Sequence, residues 1–342
     1  MVTIRDIATH LGLGKSTVQR ALIGHAGISQ STREKVLKAA ADLGYRPDPL
    51  FSILGSQSRQ SRTRSLALAY LDRDEFSRSG DLTAGISGYN MAIQRGEELG
   101  YNIEHLRPSD LDAGKRLMDV LYHRGYAGVI IGQLRSPDHA AILANTHLPV
   151  VCCGRIDPLP LHTVQPDIVQ MVRLAWSHMR QAGYKRIGAS FGLHTPPIAD
   201  DWERIGTAMA CQQETLDKKD RVPPYMGCLR VPQTLVDWFH QHKPEAVIGF
   251  SIRQYYDLRD NGIDMSKVAF ATLHTSANPG PTTIAGIVEA NCVARESVNL
   301  LDQLIRHRNV GIPSEPLRIL VPGHWQAGDS LWQRKTGPQI SS

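Results

Sequence analysis

The N-terminal segment, residues 2–54, is the part of the sequence that constrains the fold most. Its first apolar residues fall at offsets of 0, 3, 4 and 7, which is one face of a helix, and they are Ile4, Ile7, Ala8 and Leu11. Thr3 with Asp6 is a capping box in front of that face. Gly12 supplies the positive φ that a tight turn needs. The pattern predicts a short helix followed by a turn.

Two more helices are predicted directly after the turn. The second runs from Lys15 to about Ile23. Its inner apolar stripe consists of Val18, Ala21 and Leu22. Ser31 with Glu34 is a second capping box and predicts the start of a third helix, which ends at Gly44. Three short helices in this order are typical of a helix-turn-helix domain, although an unrelated helical bundle would have the same pattern.

The outer face of the second helix carries polar side chains, which are Lys15, Ser16, Gln19 and Arg20. Cationic, hydroxyl and amide groups of this kind bind phosphates and base edges. A phosphate-binding loop is the competing interpretation, because the run from Gly14 to Thr17 resembles the end of a Walker A motif. That motif needs a glycine where Thr9 stands and a strand in front of it, and the segment in front has the helical period. DNA binding is the favoured interpretation.

The charge distribution agrees with contact to a polyanion. Residues 1–64 hold ten Lys and Arg residues against four Asp and Glu residues, a net charge of +6, while the whole chain carries +5. The remaining residues therefore sum to −1. The basic excess is confined to the segment that would contact phosphates, which a merely solvated helical surface does not explain.

This segment resembles the DNA-binding domain of the lactose-repressor/galactose-repressor (LacI/GalR) family of bacterial transcription regulators. The matching runs are Val2-Thr3-Ile4, Asp6-Ile7-Ala8, Gly12, Thr17-Val18, Arg20-Ala21-Leu22, Ile28-Ser29, Thr32-Arg33-Glu34-Lys35-Val36 and Leu43-Gly44-Tyr45-Arg46-Pro47. The resemblance implies that base edges in the major groove are read by Lys15, Ser16 and Arg20. It implies contacts to the DNA backbone for Thr3, Thr17 and Ser29.

Three positions depart from the family's usual pattern. The family usually has serine at Gly14, where it caps the recognition helix, serine at Gln19 and asparagine at Ile23. Gln19 can still donate a hydrogen bond to a phosphate, so it stays among the expected DNA-binding residues. Ile23 has no polar group and cannot replace the asparagine.

Residues 48–64 are predicted to form a hinge helix and a linker. Pro47 ends the third helix, and Asp48 with Pro49 is typical of an N-cap followed by proline at the first helical position. So short a helix is unstable alone and would form only against DNA or a second copy of the chain. The resemblance implies that paired hinge helices enter the minor groove, where Leu54 wedges between base pairs. Packing of this apolar segment onto the helical domain is the alternative.

The rest of the chain predicts an α/β fold, because apolar runs alternate with helical patterns. The predicted strands are 66–71, 101–105, 128–131, 150–153, 186–190, 246–250, 268–272 and 317–321. The predicted helices include 86–99, 114–123, 169–182 and 290–306. This part resembles the family's effector domain, a two-lobe fold of doubly wound parallel sheets like that of periplasmic sugar-binding proteins.

The predicted domain division has four parts. They are a helix-turn-helix domain at 1–47, the hinge and linker at 48–64, a two-lobe effector-binding and dimerisation domain at 65–335, and a tail at 336–342. The first lobe is expected to hold about 65–163 and 285–316. The second lobe is expected to hold about 164–284 and 317–335.

Ligands of such folds bind between the lobes, beyond the carboxyl ends of the strands. That rule selects Asp72, Arg73, Gln133, Arg155 and Asp157 on one lobe, and His194, Ser251, Arg253 and His274 on the other. Arg204 resembles the family's ligand-binding arginine. The family often has an Asn-Asp pair at 250–252 and an aspartate at His274, which serve sugar hydroxyls. Their absence weakens the expectation of a simple sugar.

The sequence lacks the motifs of common enzymes, cofactors and metal sites. It has no G-x-S-x-G, H-E-x-x-H or C-x-x-C and no strand-linked G-x-G-x-x-G. Asp200 and Asp201 could pair as catalytic carboxylates, but a solvated loop is expected there. The five cysteines do not suit a disulfide framework and predict a reducing compartment. No signal peptide or long apolar run is recognisable, so we expect a cytoplasmic chain without cofactor, metal or membrane partner.

These patterns together predict a homodimeric transcription regulator, and a repressor is the favoured kind. Two recognition helices would read a two-fold symmetric, double-stranded operator. A small-molecule effector, a sugar or a sugar derivative, would bind between the lobes and control operator affinity. Two alternatives stay open: a small-molecule-binding protein without DNA function, and a doubly wound α/β enzyme.

Overall fold

The structure is a computed structural model that describes most of the chain. The described residues are 3–22, 27–43, 45, 66–71, 82–107, 117–132, 146–154, 160–228, 230–275, 282–288 and 292–334. The predicted hinge and linker, with Leu54, and the predicted tail lie outside these residues. Within the described chain, no helix is long and apolar enough to cross a lipid bilayer.

Three helices form the N-terminal domain: α1 (Ile4–Leu11), α2 (Lys15–Leu22) and α3 (Gln30–Asp42). The three helices share one small hydrophobic core. Each contributes a completely buried side chain to it, and these are Ile7, Val18 and Val36. The capping box predicted for α1 is confirmed, since Thr3 Oγ1 accepts from Asp6 N–H at 3.4 Å and Asp6 Oδ2 accepts from Thr3 N–H at 2.7 Å. The turn is also confirmed, with Gly12 at a φ of +64°.

The cap of α3 lies earlier than the sequence analysis expected. Ser29 Oγ accepts the N–H of Thr32 at 3.3 Å, and the Ser29 carbonyl accepts the N–H of Arg33 at 3.0 Å. Ser29 rather than Ser31 therefore caps the helix. Serine is a favoured N-cap residue at either position, so the sequence alone does not distinguish Ser29 from Ser31. Only the backbone geometry shows which of the two caps the helix.

The remaining described elements are strands interspersed with helices. In chain order they are β1 (Leu66–Leu71), α4 (Leu82–Glu98), β2 (Tyr101–Leu106), α5 (Leu117–Arg124), β3 (Gly128–Ile131), β4 (Val150–Cys153), β5 (His162–Pro166), α6 (Ile168–Gln181), β6 (Ile187–Ser190), α7 (Ala199–Thr215), α8 (Pro232–His242), β7 (Ala246–Ser251), α9 (Arg253–Asp260), β8 (Ala269–His274), β9 (Ala285–Val288), α10 (Cys292–His307), β10 (Arg318–Val321) and β11 (His324–Gln326). The predicted strands are confirmed to within two residues at each end. Strands β5, β9 and β11 have no counterpart among the predicted strands.

The strands form two sheets with helices on both faces of each. The first sheet is entirely parallel, in the order β10-β5-β4-β3-β1-β2. Helices α4 and α10 pack on one of its faces and α5 on the other. The second sheet has the order β11-β9-β8-β7-β6, with β11 antiparallel. Helices α6 and α7 pack on one face, and α8 and α9 on the other. The doubly wound two-lobe fold is confirmed.

All three expected lobe boundaries lie a few residues too early. Strand β9, at 285–288, pairs with β8 in the second sheet, although 285–316 was expected in the first lobe. Strand β10, at 318–321, pairs with β5 in the first sheet, although 317–335 was expected in the second lobe. The chain therefore passes between the sheets after β5, after β9 and after β10. Each crossing lies a few residues later than expected, because strand partners are chosen by tertiary packing rather than by local sequence.

The first and third crossings are tied to each other at the start of α6. The N–H of Asp167 donates to the carbonyl of Val321 at 2.8 Å. The amide side chain of Gln170 donates to the carbonyl of Gly323 at 3.2 Å and accepts its N–H at 3.1 Å. Just beyond, Trp325 stacks on His178 of α6 with ring centroids 4.1 Å apart. These contacts anchor the third crossing to the second lobe.

Gly323→Ala is expected to destabilise this junction. A Cβ at this position would lie 2.3 Å from Ile287 Cγ2 and 2.9 Å from Met171 Cγ. Overpacking of this kind costs about 1–3 kcal/mol, so the variant should melt several degrees below the native protein. Gly206→Ala on α7 is the matched control, because nothing lies within 4 Å of its added Cβ. If the two variants have equal melting temperatures, the packing at Gly323 is looser than described.

Candidate DNA-binding surface and effector site

The second helix of the N-terminal domain presents the polar face that the sequence predicted. Its buried side holds Val18 and Ala21, which have no exposed surface. The opposite side exposes four side chains, which are Lys15, Ser16, Gln19 and Arg20. Thr17 lies between the two sides and is half-buried. Gly14 offers no side-chain cap, and its carbonyl accepts the N–H groups of Thr17 and Val18 at 2.9 and 3.1 Å.

Two residues expected to contact the DNA backbone are already engaged in helix caps. Thr3 Oγ1 lies 2.8 Å from the Asp6 carboxylate, and Ser29 Oγ lies 2.8 Å from Thr32 Oγ1. Hydrogen bonds from the Thr3 backbone and side chain hold the pKa of Asp6 below its usual value. Both hydroxyls are exposed, so each retains a side that is open to a phosphate.

The second lobe collects polar groups at the carboxyl ends of its strands. Ser251 is the last residue of β7 and His274 the last of β8, and the two pair directly in the strand register. His194 lies in the loop after β6, and Arg204 lies on α7, which follows that loop. Parallel strands place their carboxyl ends at one edge of the sheet, where ligands of doubly wound folds bind.

These groups converge on the ring of Phe250. The Arg204 guanidinium carbon lies 4.4 Å from the ring centroid, a cation–π distance. The ring centroid of His274 lies 4.9 Å away and that of His194 lies 5.6 Å away, both edge-on. We refer to Phe250, Arg204, His194 and His274 as the Phe250 cluster. It brings one permanent cation and two imidazoles to the same end of the sheet.

A buried carboxylate contacts two members of the cluster, His194 and Arg204. Asp201 on α7 has no exposed surface. Its Oδ1 lies 2.6 Å from His194 Nδ1 and accepts from Arg204 Nη2 at 2.5 Å. Its Oδ2 accepts the backbone N–H groups of His194 and Ile198 at 2.9 and 3.0 Å. One carboxylate thus fixes an arginine, an imidazole and the loop between them.

The titration behaviour of this group follows from burial and hydrogen bonding. Burial would raise the pKa of Asp201, but the hydrogen bonds from Ile198 and His194 outweigh it and hold that pKa below the usual value. Burial lowers the pKa of Arg204, and the charge of Asp201 opposes the change. Asp201 is therefore ionised at neutral pH. Within the described chain, Nε of Arg204 is buried without a hydrogen-bond partner.

Gln254 holds the strand ends that carry the cluster. Its side chain is buried, and its Oε1 accepts the N–H groups of Phe250 at 2.5 Å and Ser251 at 3.2 Å. Its Nε2 donates to the carbonyl of Ser190 at the end of β6. The amide thereby joins β6 to β7 and fixes the backbone of Phe250 and Ser251.

The structure does not bring all the predicted effector residues together. Arg253 is not part of the Phe250 cluster: its side chain is 71% exposed, and its Nε lies 3.7 Å from the Asp257 carboxylate. The first-lobe candidates lie outside the described residues, and they are Asp72, Arg73, Gln133, Arg155 and Asp157. Arg204, Ser251, His194 and His274 are the predicted residues that share one end of the second sheet.

Sequence reasoning missed the residues that organise the site. Asp201 was expected in a solvated loop, and this was wrong, because it lies inside α7 and is fully buried. A signal was available: an aspartate three residues before Arg204 can pair with it on one helix face. Phe250 and Gln254 had no such signal, because an apolar residue near a strand end and an amide at the start of a helix are common.

A helix-turn-helix domain followed by a two-lobe, doubly wound domain defines a class of two-domain protein with a periplasmic-binding-protein-like body. Residues 3–48 match the family model described as bacterial regulatory proteins, lacI family. The match assigns the N-terminal helical domain to this family.

Two similar proteins extend the match beyond the N-terminal domain. The chain is 28% identical over 203 residues to the HTH-type transcriptional repressor CytR of Escherichia coli (strain K12), which covers 57% of this chain and 55% of CytR. It is 25% identical over 223 residues to the catabolite control protein A of Priestia megaterium, which covers 64% of each. The alignment to CytR thus spans little more than half the length of that relative. These relatives are transcriptional regulators rather than enzymes.

Solved structures share the fold at low sequence identity. A lac repressor dimer bound to operator and the anti-inducer ONPF has a TM-score of 0.60 and 18% identity, covering 97% of this chain and 99% of that one. A complex of the transcriptional regulator CelR with cellobiose has a TM-score of 0.58 and 19% identity, covering 96% of this chain and 100% of that one. At these identities the likeness supports the fold.

Proposed function

We infer that this chain is a sequence-specific, DNA-binding transcriptional repressor whose operator affinity depends on a small metabolite. The observation that carries this inference is the exposed polar face of α2, set on a buried core in a domain that matches the lacI family model. Operator DNA fits that face, since the basic excess of the chain lies in residues 1–64. A regulator of this kind acts in the cytoplasm, where the DNA is.

The effector in this proposal is a sugar or sugar derivative bound beside the Phe250 cluster. CelR with cellobiose and a Weissella paramesenteroides regulator with bound glucose are structural neighbours of the same fold. Binding between the lobes would change their relative angle, and hence the spacing of the two hinge segments in a dimer. The effector acts through its different affinity for the two lobe arrangements, so it could release the repressor or be required by it.

A salt titration tests the DNA-binding part of the proposal. Fluorescence anisotropy measures the affinity of the protein for labelled DNA fragments. Some fragments of the source genome should be bound far more tightly than random duplexes. Each phosphate contact releases a counterion, and about 6–10 contacts lower affinity by roughly 10³–10⁵ between 50 and 200 mM salt. Sedimentation of the free protein should give a dimer. If no duplex is bound with salt-dependent affinity, with or without sugars, the proposal fails.

Leu54→Ala is expected to weaken operator binding and reduce operator bending without unfolding the protein. A leucine wedged between base pairs unstacks them and kinks the duplex, and alanine is too short to do so. The bend angle can be measured by energy transfer between dyes at the two ends of the operator. An unchanged bend, or a lower melting temperature instead, would mean that Leu54 packs against the protein's own core.

A further inference from the structure

The hydrogen bonds around Asp201 determine more than the shape of the effector site. His194 Nδ1 and Arg204 Nη2 lie 2.6 and 2.5 Å from the same carboxylate oxygen. The other oxygen is occupied by two backbone N–H groups. All four contacts come from donors, so the carboxylate is fully used within the protein and offers no acceptor to a ligand.

An ionised carboxylate imposes one tautomer on the imidazole beside it. A carboxylate only accepts hydrogen bonds, so His194 Nδ1 must carry the hydrogen in this contact. In the neutral ring the other nitrogen, Nε2, then has a lone pair and accepts. Among the described residues Nε2 has no hydrogen-bond partner. The ring therefore has one unused acceptor at the end of the sheet.

We propose that Asp201 is the positioning residue of the effector site, which holds His194 as its Nδ1–H tautomer beside the Arg204 guanidinium. This rests on the proposed function, because it concerns the same effector site. The site then offers an acceptor, His194 Nε2, next to the N–H donors of Arg204. A hydroxyl group can donate to the first and accept from the second at once, so the pair selects a neutral polyol. A carboxylate or phosphate has no hydrogen to give to Nε2.

The surrounding contacts support a fixed rather than adaptable pair. The phenyl ring of Phe250 packs against both side chains, and Gln254 fixes the backbone of Phe250. The loop that carries His194 is held to α7 by the Ile198 N–H on Asp201. Burial lowers the pKa of Arg204, and Asp200 and Glu203 are close enough for their charges to oppose part of that lowering. Negative charge at these positions also disfavours an anionic ligand.

The tautomer can be measured directly on the full-length protein. Nitrogen-15 NMR of histidine-labelled protein, with His194 assigned by the loss of its signals in His194→Asn, distinguishes Nδ1–H from Nε2–H rings. The expected result is a single Nδ1–H ring. An Nε2–H ring or an averaged mixture overturns the proposal. The measurement uses no DNA, so its outcome is independent of the anisotropy test of the proposed function.

Ligand selectivity provides the second readout. Thermal-shift assays compare D-glucose with D-gluconate and D-galactose with D-galacturonate. The proposal expects the neutral member of a pair to stabilise the protein more, and a larger shift with either acid overturns it. Operator binding is unaffected by this outcome, so a failure here leaves the repressor assignment intact.

Three variants separate positioning from general stability. Asp201→Asn replaces an accepting oxygen by an N–H group, so we expect a mixed His194 tautomer and at least a tenfold loss of affinity for the best-binding sugar. His194→Asn keeps an amide N–H at the Nδ1 position for Asp201 but has no atom at Nε2. It should fold normally and lose at least tenfold in affinity even if Asp201→Asn does not fold. Glu214→Gln, at an exposed ion pair on the same helix, is the matched control and should change nothing. Full sugar affinity in His194→Asn overturns the proposal.

Discussion

An Arg20→Ala variant is expected to lose most of its preference for operator over random DNA. Arg20 is exposed on α2 while its neighbours Val18 and Ala21 are buried, so truncation should remove a DNA contact and leave the domain folded. An arginine bound to a guanine by two hydrogen bonds contributes about 1–3 kcal/mol of discrimination at that base pair. In a dimer the loss occurs once in each half-site. Titration of operator and of single-base variants measures it.

Arg20→Lys is the matched control for charge. Lysine keeps the positive charge and therefore the attraction to phosphates, but it lacks the planar, two-pronged donor. Its salt dependence should stay close to that of the native protein while its discrimination falls. If Arg20→Ala retains the native operator preference at every base pair, another residue of α2 reads the sequence and Arg20 binds the backbone.

Local patterns predicted those parts of the fold that are decided locally. The offsets of the apolar residues in α1 and the Thr3–Asp6 capping box involve residues within two turns of each other, and both are present. Runs such as 128–131 and 150–153 are apolar because these strands are covered on both faces. In contrast, β5 reads His-Thr-Val-Gln-Pro, which has no strand signal. It becomes a strand because β4 and β10 lie on either side of it.

In the candidate site, too, local sequence patterns predicted only part of the arrangement. The rule that ligands bind beyond strand ends selected Ser251 and His274, which are indeed neighbours. It also selected Arg253, which is only two residues further along the chain but whose exposed side chain lies beside Asp257 of α9. The burial of Asp201 depends on the 194–198 loop folding back onto α7, a contact that the sequence near Asp201 does not encode by itself.

Arg204→Met is expected to be strongly destabilising as well as defective in effector binding. Methionine has a similar reach and fits an apolar environment, but it leaves the ionised and fully buried Asp201 without its cationic partner. Breaking a buried ion pair from one side costs about 3–5 kcal/mol, so the melting temperature should fall by roughly 6–20 °C. The sugar response should also disappear, because the donors of the effector site are lost. Calorimetry with and without sugar measures both effects.

Two further variants show whether the cause is the buried charge. Arg173→Met removes an arginine that pairs with Glu214 at the surface, where solvent screens the pair, and it should melt close to the native protein. Adding Asp201→Asn to Arg204→Met removes the unpaired charge, so the double variant should lose less stability than the two single variants summed. Strict additivity would mean that the two side chains do not stabilise each other. Arg204 would then act on the effector alone, and Asp201 would serve only the loop.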